Sequence, residues 1–454
     1  KKNIDYFIFK ERGLGMSCRE MLYFKKSRIV VLVLALWLWL DFAGTHVVMG
    51  TSLDDYVSAP DANYKCIQQG DAIHGTGYKA YVLNMTSQAW RSSSEVNRTL
   101  WKHWVIVVIP DNLQTNTALL HINGGNNGET EPGANDYFIQ NALSVVAKMS
   151  HSIVVDVRMV PNQPLYFTDE SWDAKTEDEI IAYSFDKQMV TGDDTWAVLL
   201  PMVKSVVRAM DAAQNFVSTL SGVLPINDFV VAGASKRGWT TWLTAVYDRG
   251  LPVAQQRVRA IIPLVIDVLN MDEQMRHHFS AYGFYAPAIQ DYVNKNVFDR
   301  LDTPEGQHLL TLVDPFEYSD RLTMPKYIVN SSGDQFFLPD SSQFYYHDIP
   351  GENYLCYVPN TDHTLGIIGG DTTSIVPLVA FYASIWLNLI RPEYSWEFQA
   401  DGTVVVHTNV TPKNVFLYQA HVSKANGRDF RLEKIGGVWN QSTLTDQGGN
   451  VYIG

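Results

Sequence analysis

Phe229-Val-Val-Ala-Gly-Ala-Ser-Lys-Arg-Gly-Trp239 decides how this chain is read. Its apolar start reads as a strand buried on both faces, and the residues after Ser235 read as a helix that begins at once. A serine on so sharp a strand-to-helix turn projects its hydroxyl above the sheet, and small neighbours such as Gly233 and Ala234 let the turn close. The helix N-terminus favours negative charge, so the N–H of Lys236 is the first expected donor to an oxyanion. Arg237 stands where a G-x-S-x-G elbow has its second glycine, and Gly238 comes one residue later. An ordinary turn with a capping serine is the competing reading.

Two later segments complete a set. Tyr327-Ile-Val-Asn-Ser-Ser-Gly-Asp334 reads as a buried strand ending in Gly-Asp, and the strand Tyr354–Val358 gives way to Pro359-Asn-Thr-Asp-His363. Serine, aspartate and histidine in that chain order, each just past its own strand, is the α/β-hydrolase order. The chemistry needs all three: His363 takes the Ser235 proton, and Asp334 orients the imidazole and supports its charged form. Asp340 and Asp362 stand as rival acids, and an exposed loop position for His363 is the bland alternative. Upstream, His121-Ile-Asn-Gly-Gly-Asn-Asn-Gly128 follows another strand and resembles the glycine-rich oxyanion loops of esterases, with the N–H of Gly125 or Asn126 as second donor. A plain glycine turn is the alternative there. In the polar loop Val160-Pro-Asn-Gln-Pro-Leu165, Asn162 and Gln163 are expected to bind substrate together with Arg237. The acidic stretch from Asp169 to Glu179 either meets a basic substrate group, such as a peptide amino terminus, or is a solvated loop and a helix start.

Working outward, Trp104–Ile109, Ala118–Ile122, Ile153–Val157 and Ala260–Val265 read as further buried strands. Helices are expected at Glu177–Val190, Trp196–Val217, Lys236–Asp248 and Thr373–Leu389, the first opened by a Thr176/Glu179 capping box. Such alternation predicts an α/β sheet with right-handed crossovers. The expected catalytic domain spans residues 51–392, with a helical insert over 270–315 placed as a cap. Residues 393–454 are expected to form a small β-sandwich-like domain, with strands at Ser395–Phe398, Thr403–His407, Val415–Tyr418 and Phe430–Lys434. No closing strand is visible before Gly454, so that domain is expected to be truncated.

The composition narrows the classes. With 46% hydrophobic and 18% charged residues the chain is globular rather than disordered. The net charge of −13 repels phosphate backbones, which disfavours nucleic acid as a partner. There is no Walker-type loop, HExxH or CxxC pair, and no metal or organic cofactor is implied. Residues 1–48 read as a leader. The chain opens on Lys1, so Met16 or Met21 is the expected start. From Met21, the basic Lys25, Lys26 and Arg28 precede the apolar run Ile29–Leu40, too short for a bilayer core of about 30 Å. A signal peptide is expected, with an uncleaved anchor as the alternative. Sequons at Asn84, Asn97, Asn330, Asn409 and Asn440 agree with that route. Cys66 and Cys356 leave room for one disulfide.

Leu53-Asp-Asp-Tyr-Val57, Pro161-Asn-Gln-Pro-Leu165, Gly233-Ala-Ser-Lys-Arg-Gly-Trp-Thr-Thr-Trp242, Ser332-Gly-Asp-Gln-Phe-Phe-Leu-Pro-Asp340 and Asn360-Thr-Asp-His363 together resemble the PhoPQ-activated pathogenicity-related proteins, which include secreted autocrine proliferation repressors of amoebae. The resemblance implies an α/β-hydrolase core related to serine peptidases and esterases, a following β domain, and Ser235, Asp334 and His363 as the triad. It also makes Arg237 part of the family's own pattern. The expectation is therefore a protein of the secretory or lysosomal lumen, or secreted, that cleaves a peptide or ester. The rival is an extracellular signal that keeps the scaffold and acts through a cell-surface receptor. After signal cleavage neither reading involves a membrane.

Overall fold

A computed structural model of the chain describes residues 50–171, 173–366, 375–422 and 427–454. Its centre is a nine-stranded sheet in the order β1-β2-β3-β5-β4-β6-β7-β8-β9. The strands are β1 (Lys65–Gly75), β2 (Tyr78–Ala89), β3 (Leu100–Pro110), β4 (Thr117–Ile122), β5 (Val154–Val157), β6 (Asp228–Ala234), β7 (Val258–Leu264), β8 (Lys326–Ser331) and β9 (Asn353–Val358). β1 to β3 are antiparallel to one another and β3 to β5, while β5, β4, β6, β7, β8 and β9 run parallel. The step back from β4 to β5, followed by β6 on the other side of β4, is the α/β-hydrolase strand order. It opens a crevice at the carboxyl ends of β4 and β6, where ligands bind in open α/β sheets.

The apolar runs read as strands are mostly those buried on both faces, β9 being a half-buried edge. Alternation sorts them. Phe229 and Val231 of β6 face Val206 of α4 (Leu199–Ser218) and Trp242 of α5 (Lys236–Gly250). Val230 and Ala232 face Phe381 and Tyr382 of α9 (Ile375–Trp386). α2 (Ser144–Ser150) covers Ile106, Val108 and Val154 further along that second face. β1 went unread because Gln68-Gln69-Gly70-Asp71 interrupts the apolar pattern and β1 is an exposed edge; β2, interior and mostly buried, went unread because polar Lys79, Asn84, Thr86, Ser87 and Gln88 break up its apolar residues. α1 (Ser52–Ser58) buries Leu53 and Val57, and its Asp54 accepts two bonds from the Arg321 guanidinium, at 2.9 and 3.0 Å. The capping box forms as expected at the start of α3 (Glu177–Thr191). The next expected helix begins later, at Leu199, behind a 3₁₀ turn over Asp194–Trp196.

Between β7 and β8 lie α6 (Met271–Tyr282), α7 (Gln290–Asn294) and α8 (Pro304–Val313). After α9, β10 (Tyr394–Phe398), β11 (Val404–Thr408), β15 (Val451–Ile453) and β14 (Thr445–Asp446) form an antiparallel sheet, and β12 (Phe416–Gln419) pairs with β13 (Asn440–Thr443). Two expectations need correction. Phe430–Lys434 is not a strand: Leu432–Ile435 is a one-turn helix, α10, whose first N–H bonds to the Gly333 carbonyl at 2.9 Å. A closing strand does exist, since Val451–Ile453 pairs with β11. Cys66 and Cys356 are both free and sit on β1 and β9, the opposite edges of the sheet, so no bridge can join them. Among the described residues no helix is long and apolar enough to cross a membrane. The expected leader lies outside them.

Candidate active site

Ser235 joins β6 to α5 with φ 57° and ψ −129°, a conformation that side chains other than glycine avoid and that costs on the order of 1–3 kcal/mol. Packing holds it there. A Cβ on Gly233 would lie 2.5 Å from the Arg237 carbonyl oxygen, and one on Gly238 would lie 2.6 Å from Ile266 and 2.9 Å from the Gly233 carbonyl oxygen. The turn therefore needs both Gly233 and Gly238, and Arg237 fits between them because its side chain leaves the turn. The Ser235 N–H donates to the Leu264 carbonyl at 2.8 Å, so the next amide, Lys236, begins the helix with no intrahelical acceptor.

Asp334 and His363 meet beyond β8 and β9. His363 Nδ1 lies 2.8 and 3.0 Å from the two carboxylate oxygens of the buried Asp334. Asp334 also accepts the Phe336 N–H at 2.7 Å, and the His363 N–H donates to the Gln335 side chain at 2.9 Å. The rival acids are engaged elsewhere: Asp340 with His277 and Arg428, Asp362 with Thr364. His363 Nε2 is buried and has no hydrogen-bond partner. The Phe336 ring lies 4.3 Å from the His363 ring and shares with Ser235 the wall of one pocket. No hydrogen bond joins Ser235 to His363.

The loop after β4 lies beside the serine turn, since Ile122 pairs with Gly233. Of the two expected second donors, Asn126 has its N–H bonded to Glu129 Oε1 at 2.8 Å. Gly125, at φ 130°, keeps an amide that no described acceptor takes.

The described geometry coincides with a sequence match. The family model for PhoPQ-activated pathogenicity-related protein covers residues 53–431. The chain belongs to that family. Autocrine proliferation repressor protein A of Dictyostelium discoideum is 36% identical to this PhoPQ-related protein over 426 residues, which is 89% of this chain and 82% of the relative. Among solved structures, acetyl xylan esterase 1 from Thermoanaerobacterium sp. JW/SL YS485 matches 73% of this chain and 92% of its own length at 14% identity, with a TM-score of 0.47. An acetyl xylan esterase from Paenibacillus sp. R4 matches 76% and 93% at 13% identity, also with a TM-score of 0.47.

The three residues expected to bind substrate are held inside the PhoPQ-related protein instead. The fully buried Asn162 side chain bonds both the N–H and the carbonyl of Lys102, each at 2.9 Å. Gln163 exchanges two hydrogen bonds with Glu177. Arg237 donates to both Glu177 oxygens at 2.7 Å and to the Val160 carbonyl. Sequence reasoning missed Glu177, which Gln163 and Arg237 share. Its carboxylate also pairs with Lys236 Nζ at 2.8 Å. Burial pushes its pKa up, but Arg237 and Lys236 more than offset that and hold it far below the usual carboxylate range. Only its place just after the capping threonine hinted at a role. Other acids of the stretch are paired too, Asp169 with Lys187, Glu170 with Lys175 and Lys295, and Asp178 with Lys236. Asp267, also missed, is fully buried beneath Tyr345 and Tyr357, whose hydroxyls donate to it, and burial pushes it up to about 7.

Proposed function

We propose that this PhoPQ-related protein is a secreted serine hydrolase that works through an acyl-enzyme on Ser235. The observation that carries the reading is His363: its Nδ1 is fixed by Asp334, and its Nε2 is buried, unpartnered and next to the wall of the Ser235 pocket. In the proposed reaction Ser235 Oγ attacks the carbonyl carbon of an ester or amide while His363 Nε2 takes the hydroxyl proton. The amides of Lys236 and Gly125 receive the oxyanion. As the intermediate collapses, the bond to the alcohol or amine breaks and His363 returns the proton to that leaving group. Water then repeats the sequence and releases the carboxylic acid. Entry into the secretory route is supported by the leader pattern and by exposed sequons at Asn97, Asn409 and Asn440, whereas Asn330 is buried and Asn84 half-buried.

A second reading is favoured by the relative's name alone: an autocrine signal acting through a receptor, with the hydrolase scaffold retained. Rapid mixing with p-nitrophenyl acetate separates the two. Hydrolysis predicts a burst of nitrophenol approaching one per chain, absent in Ser235→Ala. A folded protein with no burst and no turnover favours the signal.

A further inference from the structure

We propose that the group this site holds on the acyl side of its substrate is short and apolar, about four to six carbons long. The inference rests on Ser235 being the nucleophile and deepens that reading. Beside Ser235 lies a pocket walled by Trp239 and Ile266 from the sheet side and by Met271, Met275, Ile289 and Phe298 from the insert between β7 and β8. The insert thus roofs the serine, and Met271 and Met275 are part of that roof.

The polar groups that Lys236, Tyr292 and Trp239 bring to that wall already have partners. Lys236 Nζ is paired with Glu177 at 2.8 Å and Asp178 at 3.0 Å, and the Tyr292 hydroxyl donates to Asp178 at 2.9 Å. Trp239 Nε1 donates to the Val313 carbonyl at 2.6 Å. A sugar or a charged side chain entering here would leave its own polar groups unpaired, whereas a hydrocarbon gains by leaving water. The cavity measures about 40 Å³, room for about three water molecules or a chain of three to four methylenes.

Which side of the scissile bond enters follows from proton transfer. The leaving group must depart toward His363 Nε2, which gives it its proton. His363 does not itself line this pocket; Phe336, 4.3 Å from its ring, lines the pocket on the His363 side, across from the methionines of the insert. The group lodged between Trp239 and the methionines is therefore the acyl part, R–CO–, which becomes bonded to Ser235 Oγ as the alcohol or amine leaves with the proton from His363.

The test is the kcat/KM of the full chain on p-nitrophenyl acetate, butyrate, hexanoate and dodecanoate, with fluorophosphonate labelling of Ser235 measured on the same samples. Butyrate or hexanoate is expected to exceed acetate by about tenfold, the gain from burying two methylenes, and dodecanoate to fall back by a similar factor. Met275→Trp, which fills the space under the roof, should bring the butyrate-to-acetate ratio toward one, and Met275→Ala should move the optimum to longer chains. Labelling that depends on Ser235, with acetate preferred or no chain-length preference, overturns the acyl proposal and leaves the serine mechanism standing. No labelling of a folded sample overturns the mechanism and the acyl proposal with it.

Discussion

Ser235 is held by packing, and the Asp334–His363 pair is held by hydrogen bonds; the two halves of the proposed triad are built by different means. On the serine side, Gly233 and Gly238 let backbone meet backbone, and the serine side chain itself makes no hydrogen bond. On the acid–base side, bonds from Phe336, Gln335 and the His363 ring converge within the two loops, and α10 of the C-terminal region bonds the backbone beside Asp334 through Gly333. The nucleophile therefore depends on shape and its partners on polar matching. Shape tolerates loss of a bond, and polar matching tolerates a modest change of volume.

The largest effect should come from the polar half. Asp334→Asn keeps the volume but removes the charge that orients and supports His363, so kcat for a nitrophenyl ester should fall about 10⁴-fold with thermal stability little changed. Asp267→Asn probes the buried acid next to that pair. Because burial raises its folded value to about 7, above its unfolded value near 4, the wild type should lose stability as pH rises through that window, by about 1.4 kcal/mol per pH unit. Urea unfolding of Asp267→Asn across pH 4–8 should show a shallower decline. An unchanged slope would mean that Asp267 is ionised throughout.

The shape half is broken by Gly238→Ala, whose added carbon meets Ile266 and two carbonyl oxygens; a loss of about 1–3 kcal/mol in denaturant unfolding is expected, with activity falling alongside. Smallest of the four is Glu177→Gln. It leaves Arg237 and Lys236 without their shared carboxylate, and since Glu177 is partly exposed the expected cost is about 1–2 kcal/mol. Its folded pKa is depressed, so the contribution is present above about pH 4.5 and is lost as pH falls. The difference between Glu177→Gln and wild type should shrink in acid.

Legibility divides along a related line. The seven strands β3 to β9 could be read because their apolar composition is continuous, and all but the half-buried edge β9 lie inside the sheet. β1 could not, since an edge strand carrying Gln68, Gly70 and Asp71 has no such pattern, nor could β2, whose buried run is broken by Asn84, Thr86, Ser87 and Gln88. The serine turn was legible because its requirements are local, with small residues next to Ser235. Choosing among Asp334, Asp340 and Asp362 was not, because only the approach of His363 decides it. Glu177 was missed for the same reason: Arg237 and Lys236 reach it from a distant helix. Asn162 and Gln163 misled because polar side chains in a loop read alike whether they face a cleft or lock two loops together.

The central claim is that Ser235 is an activated nucleophile. Fluorophosphonate labelling of the purified protein, followed by peptide mapping, tests it most directly. One adduct on Ser235, lost in Ser235→Ala and slowed by orders of magnitude in His363→Ala, is the predicted result. A folded protein that stays unlabelled, or labels equally without His363, would contradict it.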